Sequence, residues 1–274
     1  SDLVGEVSPT LLISNATLAD AGLYTVVITG TCGTLTSNAA ELEVTTGDCA
    51  GQWLDPLLLP GANNSILAAT QWDADGAGPN PARLVIAGTF TQAGATPSNR
   101  AAMWNGSSWQ ALTGPSNNGA NNAVRALAVY NGQLILGGSF NTVGGSLSAI
   151  GVARYEGSNY FPLSTGVNGF VRALSLYGGD LIAAGNFTTA GGNPAANIAR
   201  WNGTSWSALG GGVNGVVNAL TSYGGHLIAA GSFTTAGGNP ASFIAMWNGS
   251  SGSALGAGTN TAITALAVHG PDLV

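Results

Sequence analysis

Six arginines, no lysine and 12 acidic residues leave this 274-residue chain with a net charge of −6. It lacks the clustered cations that displace counterions from a phosphate backbone, which argues against a nucleic-acid partner. Charged residues make up only 7% beside 45% hydrophobic residues and 43 glycines, the balance of a turn-rich β protein with a packed core and a surface of Ser, Thr, Asn and Gln; no apolar run approaches the roughly 20 residues that span a bilayer, so membrane insertion is not expected.

No signal peptide opens the chain, so a mature or truncated segment is expected. Residues 10–13, 24–29 and 40–44 read as three strands joined by polar turns. Before the middle one stands Asp20-Ala21-Gly22-Leu23-Tyr24, which resembles the tyrosine corner of immunoglobulin-like domains, where the Tyr hydroxyl bonds back to the backbone at the turn into a strand. Val26 stands where that family often places a cysteine, so the usual inter-sheet bridge is absent. The resemblance covers the last three strands of a fold that needs about seven. It implies a truncated immunoglobulin-like β-sandwich over residues 1–47, of the kind that serves as a spacer in secreted proteins. Cys32 and Cys49, the only cysteines, flank the predicted terminal strand. Either they pair with each other in an exported protein, or Cys32 had a partner upstream. Neither the spacing nor a nearby His points to a metal site.

Residues 48–65 read as a linker with a lone outer strand at 52–57. Beyond them an internal period sets the organisation. Val124-Arg125-Ala126-Leu127 returns as Val171-Arg172-Ala173-Leu174, Val217-Asn218-Ala219-Leu220 and Ile263-Thr264-Ala265-Leu266, at intervals of 47, 46 and 46 residues. Gly88-Thr89-Phe90 returns as Gly138-Ser139-Phe140, Gly185-Asn186-Phe187 and Gly231-Ser232-Phe233. Trp104-Asn105-Gly106 returns as Tyr155-Glu156-Gly157, Trp201-Asn202-Gly203 and Trp247-Asn248-Gly249. Each unit contains four β-prone runs and no helical period, which predicts four-stranded propeller blades. The Asn-Gly pairs predict hairpin turns with both residues at positive φ, and the recurrent Phe and Trp predict packing between blades.

The units resemble the tandem blades of secreted bacterial β-propellers, related in architecture to Kelch repeats. Kelch's own paired glycines and spaced Tyr and Trp are not reproduced. The expected fold is therefore all-β: a partial propeller over residues 66–274, with four complete blades and the start of a fifth. The segment at 52–57 aligns with the fourth strand of a lost or ring-closing blade. A fragment with open edges is expected to self-associate as a dimer or higher oligomer.

Catalytic raw material is scarce: two His, and no Gly-x-Ser-x-Gly elbow, His-Glu-x-x-His helix or phosphate loop. Gln133, Asp180, His226 and Asp272 precede the second strand of successive units. They form either a variable polar turn or an arc that holds a divalent metal and a hydrolytic water. Asp73 and Asp75 beside Gly76 are candidate Ca2+ ligands, although the spacing is not that of an EF-hand. Arg125 and Arg172 occupy equivalent positions, as do Arg154 and Arg200; they clamp an anion, bond local carbonyls or line a solvated channel. Trp72, Trp109 and Trp206 are candidate exposed platforms for sugars, with repeated packing as the competing reading because Tyr160 falls between Trp109 and Trp206 in the repeat. The Asn-x-Ser/Thr triplets at Asn105, Asn202 and Asn248 read as turns rather than glycan acceptors. The expected protein is a secreted or cell-surface binding or scaffold module for a glycan or protein, without a required cofactor. The alternative is a promiscuous, metal-assisted (phospho)esterase acting on small esters.

Overall fold

The computed structural model describes residues 22–24, 27–30, 33–36, 40–42 and 61–274, the last without 77 and 114–118. The chain divides into two compact units, residues 1–58 and 59–274. In the first unit Gly22–Tyr24 pairs antiparallel with Ala40–Leu42, and Val27–Gly30 with Gly33–Thr36. The expected single strand over 24–29 is therefore two strands with different partners, and Gly33–Thr36 was not foreseen. The strand expected at 10–13, Cys32, Cys49, Val26 and the segment 52–57 lie outside the described residues.

The second unit is a β-propeller. Four antiparallel sheets follow one another, each with its four strands in sequence order from the innermost outward. The first blade comprises Ile66–Trp72, Arg83–Gly88, Ala101–Trp104 and Trp109–Ala111; the second Val124–Tyr130, Gln133–Gly138, Val152–Tyr155 and Tyr160–Pro162. The third comprises Phe170–Tyr177, Asp180–Asn186, Ile198–Trp201 and Trp206–Ala208; the fourth Val217–Tyr223, His226–Gly231, Ile244–Trp247 and Gly252–Ala254. Val268–His269 and Asp272–Leu273 begin a fifth unit, and the described residues contain no helix.

The two-residue period of a strand explains how blades stack, because alternate side chains leave opposite faces of the sheet. In the second strand of the third blade, Leu181 and Ala183 join Ile135 and Val152 of the second blade in one buried cluster. Ile182 and Ala184, facing the other way, join Leu227 and Ala229 of the fourth. Phe140, Phe187 and Phe233 are buried in these interfaces, as the repeat predicts. Each buried side chain of this size contributes about 1.5–3 kcal/mol.

Two local devices differ from expectation. The loop after each third strand has four residues, and only its glycine takes positive φ: Gly106 at 100°, Gly203 at 100° and Gly249 at 101°. The preceding Asn closes the loop with its carboxamide instead; Asn202 Oδ1 accepts the N–H groups of Thr204 and Ser205 at 3.0 and 2.9 Å. Asn105 and Asn248 do the same. Two-residue turns with paired positive φ lie elsewhere, between first and second strands at Asn131-Gly132, Gly178-Gly179 and Gly224-Gly225, and between second and third strands at Gly191-Gly192 and Gly237-Gly238.

Each blade also carries a small hairpin between its second and third strands, such as Thr189–Ala190 with Asn193–Pro194. An asparagine ahead of the inner strand staples it. Asn168 Oδ1 accepts the N–H groups of Thr188 and Thr189 at 2.8 and 2.9 Å, while its Nδ2 donates to Thr188 Oγ1 at 2.8 Å. Asn63, Asn121 and Asn214 repeat this pattern in the other blades.

Candidate functional site

The inner strands share one irregularity. Pairing with the second strand slips between Ile66 and Ala68, Val124 and Ala126, Val171 and Ala173, and Val217 and Ala219. Leu67, Arg125, Arg172 and Asn218 are therefore the extra residues of four equivalent β-bulges, the device by which a strand re-aims a side chain. A glycine makes each bulge sterically feasible. A Cβ on Gly88, Gly138, Gly185 or Gly231 would lie 2.0–2.1 Å from the carbonyl oxygen of Ser65, Ala123, Phe170 or Val216. The glycine of the repeated Gly-Thr/Ser/Asn-Phe motif is thus the partner of the bulge.

These four side chains and Thr264, their counterpart in the fifth unit, line one cleft of ≈ 240 Å³. Arg125 is half-buried and its Nε donates to Ser139 Oγ at 3.2 Å. Arg172 is exposed, and its Nη1 donates to Asn218 Oδ1 at 3.2 Å; Asn218 Nδ2 in turn donates to the Ile263 carbonyl at 2.8 Å. Among the described residues, neither Arg125 nor Arg172 has a carboxylate within ion-pair distance. The equivalent pair Arg154 and Arg200 is differently occupied. Arg200 Nε lies 3.4 Å from Asp180 Oδ2. Arg154 Nε lies 3.0 Å from Glu156 Oε1 without pointing its N–H at it, a contact of charge rather than a hydrogen bond, and the guanidinium sits 4.7 Å from the centre of the Phe161 ring.

Charge is unevenly divided between the two units. Residues 1–58 contain seven acidic residues and no basic one, whereas residues 59–274 contain all six arginines and five acidic residues. The net negative charge therefore belongs to the first unit, and the propeller itself carries a slight positive excess.

The other sequence candidates do not form one site. Asp180, His226 and Asp272 are the first residues of second strands rather than turn residues, paired across the hairpin with Tyr177, Tyr223 and His269. Asp180 is engaged by Arg200, Asp272 is exposed, and His226 Nδ1 is buried without a hydrogen-bond partner. Among the described residues no three His, Cys, Asp or Glu side chains are grouped as a metal site would require, so the proposed arc is not assembled. Asp73 and Asp75 belong to a self-contained turn: Asp73 Oδ1 accepts the Asp75 N–H at 3.2 Å, and Asp75 Oδ2 accepts Asn80 Nδ2 at 2.7 Å. The Asn80 amide, and then the contact with Asp73, holds the Asp75 carboxyl below the usual carboxylate range.

The expected sugar platforms need correction. Trp206 is 3% exposed and its Nε1 donates to the Leu163 carbonyl of the preceding blade at 2.9 Å. Trp72 is likewise buried, with Nε1 on the Gly132 carbonyl of the second blade. Both indoles latch neighbouring blades together, which leaves no free face for a sugar. Trp109 is half-buried and meets Trp104 edge-on at 5.4 Å. Tyr160, between Trp109 and Trp206 in the repeat, is also buried and donates its hydroxyl to the Leu112 carbonyl at 2.7 Å.

Leu67, Asn218 and Thr264 were not foreseen as partners of the two arginines. A signal existed in the second letter of the repeated tetrad, which varies as Arg, Arg, Asn and Thr while its neighbours stay apolar.

No protein-family model and no curated protein sequence matches the chain. Among solved structures it is similar to the WD40 β-propeller domain of Doa1, at 15% identity and a TM-score of 0.46 over 78% of this chain and 62% of that one. It is also similar to the computationally designed Ika8 protein, at 14% identity and a TM-score of 0.46 over 77% of this chain and 54% of that one. The chain thus spans less than two thirds of the length of either structure.

Proposed function

We propose that the chain is an extracellular binding or scaffold propeller that takes a glycan or protein ligand at the cleft lined by its inner-strand bulges. The carrying observation is the contrast within the repeat. Blade-to-blade contacts reuse the same residue types, whereas the bulged position changes chemistry from Leu67 to Arg125, Arg172, Asn218 and Thr264 while converging on one cleft. A position that only packed would repeat, as Phe140, Phe187 and Phe233 do. The reading also accords with the general use of propellers as rigid platforms. It is tested by screening purified protein on a glycan array and against secreted-protein candidates, beside Leu67→Trp, which fills the cleft. Binding lost in the variant is the expected result; binding unchanged in it would refute the cleft as the site.

We extend the proposal to self-association. Ile66 and Leu84 on the first blade are 50% and 41% exposed, whereas their counterparts Val124, Val171 and Val217, and Leu134, Leu181 and Leu227, are all 0% exposed under a preceding blade. A second copy supplying a blade surface to that face would continue the interface already repeated within the chain. Light scattering of an oligomer that Leu84→Glu converts to monomer is expected, and a monomeric parent at about tens of micromolar would refute it.

The ester-hydrolase alternative retains one observation, the unpartnered Nδ1 of His226. It predicts turnover of chromogenic phosphate or carboxylate esters that falls in His226→Ala. Turnover unchanged in that variant would remove His226 from consideration.

A further inference from the structure

We infer that the bulge cleft binds a small oxyanion, a carboxylate, phosphate or sulfate group, between the guanidinium groups of Arg125 and Arg172. The inference rests on the cleft being the ligand site and adds the chemistry of what enters it.

Three observations converge. First, the two arginines come from adjacent blades and share one cleft with Asn218 and Thr264. The side chains lining it present cationic forks, an amide and a hydroxyl, and none of them is a carboxylate. Second, the cations are not spent elsewhere. Arg154 and Arg200 lie beside carboxylates and Arg100 Nη1 donates to the carbonyls of Thr89 and Phe90. Arg125 and Arg172, in contrast, are held among the described residues only by the neutral oxygens of Ser139 and Asn218. Each of these bonds uses one N–H of a group with five, which leaves most of the planar fork for a bidentate partner. Third, the arginines are positioned in advance. Each leaves a bulge opposite a glycine that admits no Cβ, and Asn218 is anchored to the Ile263 carbonyl while it receives Arg172. Preorganised donors lose less freedom on binding than free side chains do.

The size of the cleft limits the ligand. At ≈ 240 Å³ it lies below the roughly 300–1,000 Å³ of pockets that enclose drug-sized molecules, so it suits one anionic group or one acidic sugar ring. Leu67 supplies an apolar wall on one side and Thr264 a hydroxyl on the other. The propeller's slight positive excess means that its own charge does not oppose an anion.

The test is isothermal titration calorimetry of the full chain with inorganic phosphate, sulfate and glucuronate, each at constant ionic strength. At least one is expected to bind, more weakly as salt is raised. Arg125→Gln and Arg172→Gln are each expected to weaken it roughly tenfold or more, and Arg83→Gln to leave it unchanged. Arg172→Lys keeps the charge without the fork and is expected to fall between. Urea midpoints matched to the parent keep a folding defect from passing as lost binding. Phosphate or sulfate binding without glucuronate identifies a tetrahedral anion as the ligand, and preference for glucuronate identifies an acidic sugar. The inference is overturned if none of the three binds, or if the glutamine variants bind as well as the parent. If glycan-array binding is lost in Leu67→Trp while none of the three anions binds, the oxyanion inference fails and the binding-module reading stands. If the anions bind through the arginines but no glycan or protein does, the reverse holds.

Discussion

Gly185→Ala isolates the contact on which the bulge depends. Gly185 pairs with Val171 beside the bulged Arg172 and has no positive φ, so an alanine there meets only a steric obstacle. Its Cβ would sit 2.0 Å from the Phe170 carbonyl oxygen and 3.0 Å from the Arg172 nitrogen. A Cβ essentially never lies within 3.0 Å of another heavy atom, so the inner strand must move by at least about 1 Å. Both strands are held by their ladder bonds, and overpacking of this kind costs about 3 kcal/mol. The stiffer unfolded chain returns about 0.4–1 kcal/mol, for a net loss of about 2 kcal/mol. Gly61→Ala is the control, because nothing lies within 4 Å of its Cβ; a change within about 0.5 kcal/mol is expected there. In urea denaturation followed by tryptophan fluorescence, Gly185→Ala should lower the midpoint by about 1 M. A midpoint equal to that of Gly61→Ala would refute the account of why this glycine recurs.

Asn168→Ala removes three hydrogen bonds from an exposed staple, so it should cost about 1 kcal/mol and accelerate amide exchange selectively at Thr188 and Thr189. Trp206→Phe removes the indole bond and leaves the Leu163 carbonyl with the Gly166 N–H at 3.2 Å alone, so it should destabilise by about 0.5–1.5 kcal/mol in thermal unfolding, whereas Trp109→Phe, with a half-buried ring, should cost less. Burial first, and then the neighbouring Tyr155, pushes the Tyr160 phenol well above its usual range, and burial also raises Tyr155. An unfolded phenol ionises near pH 10, so above that the unfolded chain binds fewer protons than the native one. This contribution is fully present below pH 10 and is lost as pH rises further. Urea midpoints taken from pH 9 to pH 11 should therefore fall, and less steeply in Tyr160→Phe.

The positions of the blades were legible because each unit must solve the same burial problem. A strand sealed between two neighbours needs apolar side chains on both faces, and the second strands show this as Leu181-Ile182-Ala183-Ala184 and Leu227-Ile228-Ala229-Ala230. Repetition every 46 or so residues then marks the blade. Aromatic recurrence was legible for the same reason, although Trp72 and Trp206 looked like surface platforms. Composition could not show that an indole N–H would find a carbonyl on the adjoining blade.

Sequence alone thus determined the all-β class, the four-strand unit and its period, because these follow from local alternation and from turns that only Gly and Asn readily form. The bulge was decided by tertiary pairing: an extra residue in one strand exists only relative to the strand opposite, and nothing in Val171-Arg172-Ala173-Leu174 reveals which residue will be left unpaired. The cleft was decided one level higher. Arg125 and Arg172 lie 47 residues apart in the chain, and stacking one blade on the next is what brings their charges to a common centre.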